Sequence, residues 1–321
     1  MQGASCLEEV STAGLMRLLG AGASGAILMA LGRGPLRTKR LTQQVPGYVP
    51  RSVYRYAAKL ATLGVIEREE EPGVPSKVVY RLSRPCGGQL YELIEGFAGA
   101  SLERLPDGRI DSRAWASLGS LADLWEAGMI EELSREACSP TQLARIPHGL
   151  SYHQVVRRVA LFKADGMLRE QPSRGRRHSY VLTEKARRKA ILFLAIDRWR
   201  NDNVAVESRE PLTAAEMATM LRVVLPLARA PRHAGRCVRL SVSDEDSGET
   251  KPGEIWARVE ADGAVVASSP LESPSACARG RVEDWTALLL DSDSKRVFVD
   301  GEAEVVTEAL GALHEVPSSS S

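Results

Sequence analysis

Two segments of this chain follow nearly the same pattern. Residues 41–68 read LTQQVPGYVPRSVYRYAAKLATLGVIER and residues 143–170 read LARIPHGLSYHQVVRRVALFKADGMLRE, aligned without gaps at an offset of 102. Leu41 meets Leu143, Gly47 meets Gly149, Val53 meets Val155, Arg55 meets Arg157, Gly64 meets Gly166 and Ile66 meets Leu168. The shared positions are apolar residues at helical spacing and the glycines that stop or turn the chain. A duplicated unit has to keep these to bury its core. Two helix-turn-helix-like units in one polypeptide fit a target of two-fold character, and duplex DNA is the commonest such target.

The local signals extend the repeat on both sides. A helix is expected over Gly25–Leu31, ended by the Gly-Arg-Gly-Pro run at 32–35, then a short helix around Arg37–Gln44 and a turn at Pro46–Gly47. Pro50 opens a longer helix to Leu63, and Gly64 stops it. Strands at Val65–Glu70 and Lys77–Leu82 and a helix at Gln89–Ala98 complete the first unit. The second unit is expected as helices Leu121–Ser134, Pro140–Ala144 and Tyr152–Ala164, strands Met167–Gln171 and Ser179–Leu182, and a basic helix Glu184–Arg200. A third region opens with an amphipathic helix within 211–230. Strands follow at Cys237–Val242, Glu254–Glu260, Ala264–Ser268 and Arg296–Asp300, with helices at Val282–Leu290 and Ala303–Leu313. The expected organisation is a first unit at 1–100, a linker at 101–118, a second unit at 119–200, a linker at 201–211, an α+β domain at 212–316 and a flexible tail at 317–321.

Charge divides the same way. The net charge of +1 hides 30 Lys and Arg against 20 Asp and Glu in residues 1–200, and 12 against 21 in residues 201–321. A basic part fits a polyanion, and an acidic part is built to stay off it. The five cysteines are scattered, with no CxxC pair, which favours a reducing, cytoplasmic setting over a disulfide framework. No apolar stretch reaches membrane-spanning length. No HExxH, GxSxG, P-loop or dinucleotide-binding glycine motif is present, and the five histidines are not at ligand spacing. Catalysis, a cofactor and a metal are therefore not expected. Cys6 lacks the cationic surroundings of a reactive thiol.

In the helix from Pro50, the inward positions are Val53, Ala57 and Leu60, which leaves Arg51, Ser52, Tyr54, Arg55 and Lys59 outward. In the second copy Val155, Val159 and Phe162 point inward, leaving Ser151 at the start and His153, Gln154, Arg157 and Arg158 outside. Arg and Gln can contact base edges in a major groove with two hydrogen bonds, while Ser, Tyr and Lys suit phosphates. The second hairpin tip carries Arg174, Arg176 and Arg177 with no acid nearby, a cationic wing suited to a phosphate backbone. The first wing differs: Glu67, Glu69, Glu70 and Glu71 would be repelled by DNA, and Lys77 is the cation that favours contact.

The stretch LGRGPLR at 31–37, the turn at Val45–Gly47, the helix closing on Leu63–Gly64 and above all VPSKVVYRLS at 74–83 resemble the HxlR family of bacterial winged-helix regulators. The second copy keeps YVLT at 180–183 and lacks the Val-Pro. The resemblance implies two tandem winged helix-turn-helix domains. It also implies double-stranded DNA as partner, contacted by the helices at 50–63 and 152–164. Family members pair as homodimers, so one such chain would act as a monomeric pseudo-dimer or form a homodimer. The acidic first wing departs from that pattern.

The region from Arg279 to Leu290 and from Lys295 onward is similar to the closing helices and strand of sterol carrier protein-like domains. That resemblance implies a mainly α chain with an α+β C-terminal domain. It also implies a pocket for an apolar small-molecule effector, lined by Met217, Met220, Leu221, Trp256, Trp285 and Phe298. The expected function is transcription regulation in the cytoplasm, controlled by such an effector. The alternatives are a protein-interaction scaffold built on winged helices, or a DNA-associated resistance factor.

Overall fold

The computed structural model describes residues 11–313 apart from 22, 73–76, 99–101, 147–148, 173–177, 204–211, 245–252, 269–272 and 312. The chain forms two compact units, Met1–Glu126 with Leu192–Glu210, and Ala127–Ile191 with Pro211–Ser321. This grouping differs from the three consecutive segments expected from sequence.

The first unit runs α1 (Thr12–Gly20), α2 (Ser24–Gly32), β1 (Leu36–Arg37), α3 (Thr38–Gln44), α4 (Pro50–Thr62), β2 (Ile66–Glu71), β3 (Lys77–Leu82), α5 (Cys86–Phe97) and α6 (Ser112–Glu126). The strands form an antiparallel sheet in the order β1-β3-β2, with Leu36 opposite Tyr80 and Ile66 opposite Leu82. Pro50 stands in the first turn of α4, where its fixed φ suits the helix and its missing N–H has no partner to lose. Val53, Ala57 and Leu60 are buried along one stripe. Gly64 takes φ 66°, and the Val65 amide returns to the Leu60 carbonyl at 3.0 Å, which closes the helix end.

Part of the expected linker is structured. Arg104 pairs with Ile110 across the turn at Pro106–Gly108, and the Asp111 carboxylate accepts from the Arg113 amide at 2.9 Å to start α6. α6 then buries Ala114, Trp115, Leu118, Leu121 and Ala122 and packs along α1. The glycines that interrupt the first apolar run make this packing close. A methyl group on Gly25 would lie 2.4 Å from the Trp115 ring, and one on Gly20 would lie 2.7 Å from the Trp115 carbonyl. From Leu192 onward the long helix α10 (Glu184–Asn203) belongs to this unit. Its Trp199 indole donates to the Cys86 carbonyl at 3.2 Å, and its Phe193 stacks on Trp125 at 4.6 Å.

The second unit opens with α7 (Met129–Arg135), α8 (Pro140–Leu143), α9 (Tyr152–Ala164), β4 (Leu168–Pro172) and β5 (His178–Leu182), followed by the start of α10. The single helix expected over Leu121–Ser134 is two, because Gly128 turns left-handed at φ 64° between α6 and α7. The two segments that follow a similar pattern share fine detail. Cys138 pairs with Tyr180 where Leu36 pairs with Tyr80. Gly166 takes φ 70°, and the Met167 amide returns to Phe162 at 2.8 Å. The Ser83 hydroxyl donates to the Gly64 carbonyl at 2.5 Å and accepts from the Gly87 amide at 3.0 Å. The Thr183 hydroxyl donates to Gly166 at 2.7 Å and accepts from Ala186 at 3.1 Å. One hydroxyl thus ties the helix end, the hairpin exit and the next helix start in each copy.

The rest of this unit comprises α11 (Ala214–Val224), β6 (Cys237–Ser243), β7 (Gly253–Val259), β8 (Val265–Ser268), β9 (Ala276–Arg281), α12 (Val282–Asp291), β10 (Phe298–Gly301) and α13 (Ala303–Gly311). The sheet order is β10-β9-β6-β7-β8, with β6 and β9 parallel and the other neighbours antiparallel. β9, with the sequence ACARGR, falls outside the expected strands, because alanine and glycine carry little strand signal. α11 stops earlier than expected, turning tighter at Leu225–Leu227 around Pro226.

Of the six residues expected to line an effector pocket, four are fully buried and two are partly or largely exposed. Met217, Met220, Leu221 and Trp285 are fully buried as core, and the Trp285 indole donates to the Ser241 carbonyl at 3.1 Å. Trp256 is half-buried with Arg239 over its ring at 5.9 Å, and Phe298 is 65% exposed on the edge strand β10. Apolar spacing alone does not separate a lining from a filled core.

Candidate nucleic-acid interface

α4 carries its charge where the sheet and the other helices of its unit leave it open. Arg51, Tyr54, Arg55 and Lys59 are exposed and Ser52 is half-buried. Arg51, Arg55 and Lys59 stand at i, i+4 and i+8, so they form one row along the helix. None of the three pairs with a carboxylate among the described residues. Arg55 and Lys59 lie over the Tyr56 ring at 4.9 and 5.7 Å, which holds the guanidinium against the helix surface. Lys39 and Arg40 on α3 are exposed as well. They lie outside the expected set because α3 is too short for a charged face to stand out in the sequence.

α9 is presented differently. His153, Gln154 and Arg157 are exposed and Arg158 is half-buried. Ser151 and Gln154 form a reciprocal cap: the Ser151 hydroxyl accepts from the Gln154 amide, and the Ser151 amide donates to Gln154 Oε1 at 2.7 Å. The Gln154 oxygen thus accepts one bond within the cap, while its NH2 is free to donate to an outside partner. Apolar side chains outside the expected set share the surface: Tyr152 is 50% exposed, Val156 39% and Leu161 55%. Their departure from the Val155, Val159, Phe162 stripe is the signal that could have found them. Such side chains suit the methyl group of thymine in a major groove.

The glutamates of β2 are not an unbalanced acidic patch. Arg81 pairs with Glu67 at 2.6 Å and with Glu69 at 3.2 Å, Arg68 with Glu70 at 2.6 Å, and Arg37 with Glu71 at 3.0 Å. Cross-strand register places Glu67 opposite Arg81 and Glu71 opposite Lys77, so the ladder is close to neutral. Lys77 is exposed at the start of β3. In the second hairpin, Arg174, Arg176 and Arg177 lie outside the described residues. At its base Lys163 of α9 reaches Glu170 at 2.6 Å, and His178 pairs with the same carboxylate. The hydrogen bond from Lys163 holds the Glu170 carboxyl below its usual range, with His178 adding to the effect.

Burial shifts further ionisable groups among the described residues. Burial pushes the Cys138 thiol up to about 11, aided by Glu136 and Glu132, so it is a poor nucleophile at neutral pH. Burial, with Arg169 nearby, lowers Arg187 to about 10, and its guanidinium donates to the Val223 carbonyl at 2.7 Å. Among the described residues no group of three His, Cys, Asp or Glu could hold a metal ion. No single described helix is long and apolar enough to cross a membrane.

Among curated proteins none matches the sequence. Solved structures similar over part of the chain include the following three. The reduced form of the transcriptional regulator YodB from B. subtilis is 28% identical, covering 26% of this chain and 80% of that one with a TM-score of 0.24. The diamide-treated form of YodB is 27% identical, covering 26% and 84% with a TM-score of 0.24. A Porphyromonas gingivalis W83 protein described as a MarR-family transcriptional regulator is 21% identical, covering 30% and 90% with a TM-score of 0.25. Residues 18–100 match the HxlR-like helix-turn-helix family, so α2 to α5 with their three-stranded sheet form an HxlR-like winged-helix region.

Proposed function

We propose that this chain is a DNA-binding transcriptional regulator that holds duplex DNA with α4 and α9. The observation that carries the reading is the open row Arg51, Arg55 and Lys59 on the exposed face of α4, inside the HxlR-like segment. A stripe of exposed cations with no carboxylate partner keeps its charge for an outside anion. The neighbouring hairpin shows the contrast, since its arginines are matched to glutamates.

In this reading residues 127–203 form a second winged helix, with α9 in the place of α4 and the Arg174, Arg176, Arg177 wing on a phosphate backbone. The repeated hydroxyl ties at Ser83 and Thr183 and the matched Leu36–Tyr80 and Cys138–Tyr180 pairs support it. The two copies form a pseudo-dimer, which replaces the homodimer of single-unit relatives. Arg51, Lys59, Lys77, Tyr54, Ser52, Ser151 and Arg158 contact phosphates, and Arg55, Arg157, His153 and the Gln154 NH2 face base edges. The C-terminal sheet with α11 to α13 is a sterol carrier protein-like domain, and it has no catalytic part in this reading.

Selection of duplexes from a random pool, followed by anisotropy titration, tests the proposal. The expected result is a bipartite site with two half-sites about one helical turn apart, bound by one chain per duplex. Arg157→Ala should relax selectivity in one half-site only. No enrichment at low salt, or a site needing two chains for each half-site pair, would refute the pseudo-dimer.

A further inference from the structure

Behind the helix-turn-helix of the first unit lies a cavity of about 630 Å³, within the size range of small-molecule sites. All of its lining belongs to that unit. α2 contributes Met29 and, at its C-cap, Arg33; the turn before α4 contributes Pro46 to Tyr48; α5 contributes Tyr91; and Trp115 of α6 closes one wall. Two polar features of the lining are unbalanced. Arg33 pairs with no carboxylate among the described residues. Glu95 gives Oε1 to Arg104 at 2.8 Å, while its Oε2 is buried without a hydrogen-bond partner. A guanidinium seeks an oxyanion in a forked hydrogen bond, and a buried carboxylate oxygen seeks a donor. Met29, Tyr48, Tyr91 and Trp115 offer polarisable or aromatic surface to a flat ring, beside polar lining from Gln43, Gln44 and Asp111.

We infer that this cavity binds a planar aromatic monoanion carrying a hydrogen-bond donor, and that its occupancy controls the set of α4. The inference rests on the DNA-binding reading for its regulatory half only. Tyr48 and Gly47 line the cavity and lead into Val49 and Pro50, so a ligand that displaces the turn displaces the helix carrying Arg51, Arg55 and Lys59. Burial keeps the Tyr48 phenol protonated, which adds a second donor for the anion. A ligand shifts the protein only by its difference in affinity between the two positions of that turn.

Anilinonaphthalene sulfonate, an aromatic anion with an N–H, is the probe, and its uncharged parent N-phenylnaphthylamine is the control. Both are titrated by fluorescence into the whole chain, with circular dichroism checking that each variant is folded. Arg33→Gln should weaken the anion about tenfold and leave the neutral probe unchanged. Ala26→Leu, which fills the cavity from α2, should weaken both. Saturating anion should weaken binding to a labelled duplex by about fivefold or more. Equal anion binding by wild type and folded Arg33→Gln overturns the site. Binding at the site with unchanged duplex affinity overturns the control of α4. A chain that holds no duplex at low salt sinks the DNA-binding reading, while the probe titrations still decide the cavity.

Discussion

Replacing Arg51, Arg55 and Lys59 together by Gln tests the role of α4 with little risk to the fold. The three side chains form one row with a rise of about 6 Å per step, a reach of roughly 12 Å along a groove. Their helix propensities are close to that of Gln. The stacking of Arg55 and Lys59 on Tyr56, which the triple change removes, is exposed and worth about 0.5–1 kcal/mol. If Arg51 and Lys59 each meet one phosphate while Arg55 faces a base edge, each of the two contributes about 0.9 to the slope of log K against log salt. Two phosphates give about 1.8, so between 50 and 200 mM salt the wild type should lose on the order of 12-fold more affinity than the variant. Anisotropy of a labelled random-sequence duplex over a chloride series measures both slopes. Arg81→Gln is the control, because Arg81 is already paired with Glu67 and Glu69, and its slope should match the wild type. An unchanged slope in the triple variant would show that α4 does not face phosphates. A fall in the Arg81→Gln slope by one full phosphate would refute the ion-pair account of the first hairpin.

Three further outcomes follow from the geometry. Ser83→Ala and Thr183→Val each strip a hydroxyl that satisfies a carbonyl and a helix-start amide, so each should cost about 1–3 kcal/mol in urea denaturation; a cost near zero at both would dismiss the tie. Cys138 in the native chain should resist iodoacetamide at pH 8 and label fully in denaturant, as read by peptide mass spectrometry, because burial favours the neutral thiol. The depressed Glu170 carboxyl contributes stability above the ordinary carboxylate range and loses it as pH falls through the folded value. Amide exchange in β4 and β5 should therefore quicken on acidification, and Glu170→Gln should remove that dependence.

The sequence is most legible where the backbone alone decides. Helix stops at Gly64 and Gly166, the hairpins and the inward stripes of α4 and α9 follow from local chemistry and spacing. Features that need a partner are not legible. The glutamates of β2 read as a repulsive patch because Arg37, Arg68 and Arg81 reach them only once the strand register is set. Residues 112–118 read as linker because their apolar face gains meaning only against α1, where Gly20 and Gly25 make room for Trp115. Gln154 reads as a free base reader because the Ser151 cap depends on a side-chain rotamer. The α+β region reads as a pocket since Met217, Met220, Leu221 and Trp285 have one apolar signature whether they fill space or enclose it.

In the proposed reading of two copies of one unit, what they kept and what they changed argue for a division of labour. The ties through Ser83 and Thr183, the left-handed glycines and the pairing at Tyr80 and Tyr180 are internal, and a change in any would unseat the helix it positions. The outward faces are free of that constraint and have diverged. α4 offers a cationic row, while α9 sets Arg157 among Tyr152, Val156 and Leu161. A homodimer must present one face twice, and symmetry then forces a palindromic target. A single chain with two unlike faces on one repeated frame escapes that restriction. In the proposed reading, duplication therefore matters less for added affinity than for the freedom to recognise two different half-sites in a fixed order.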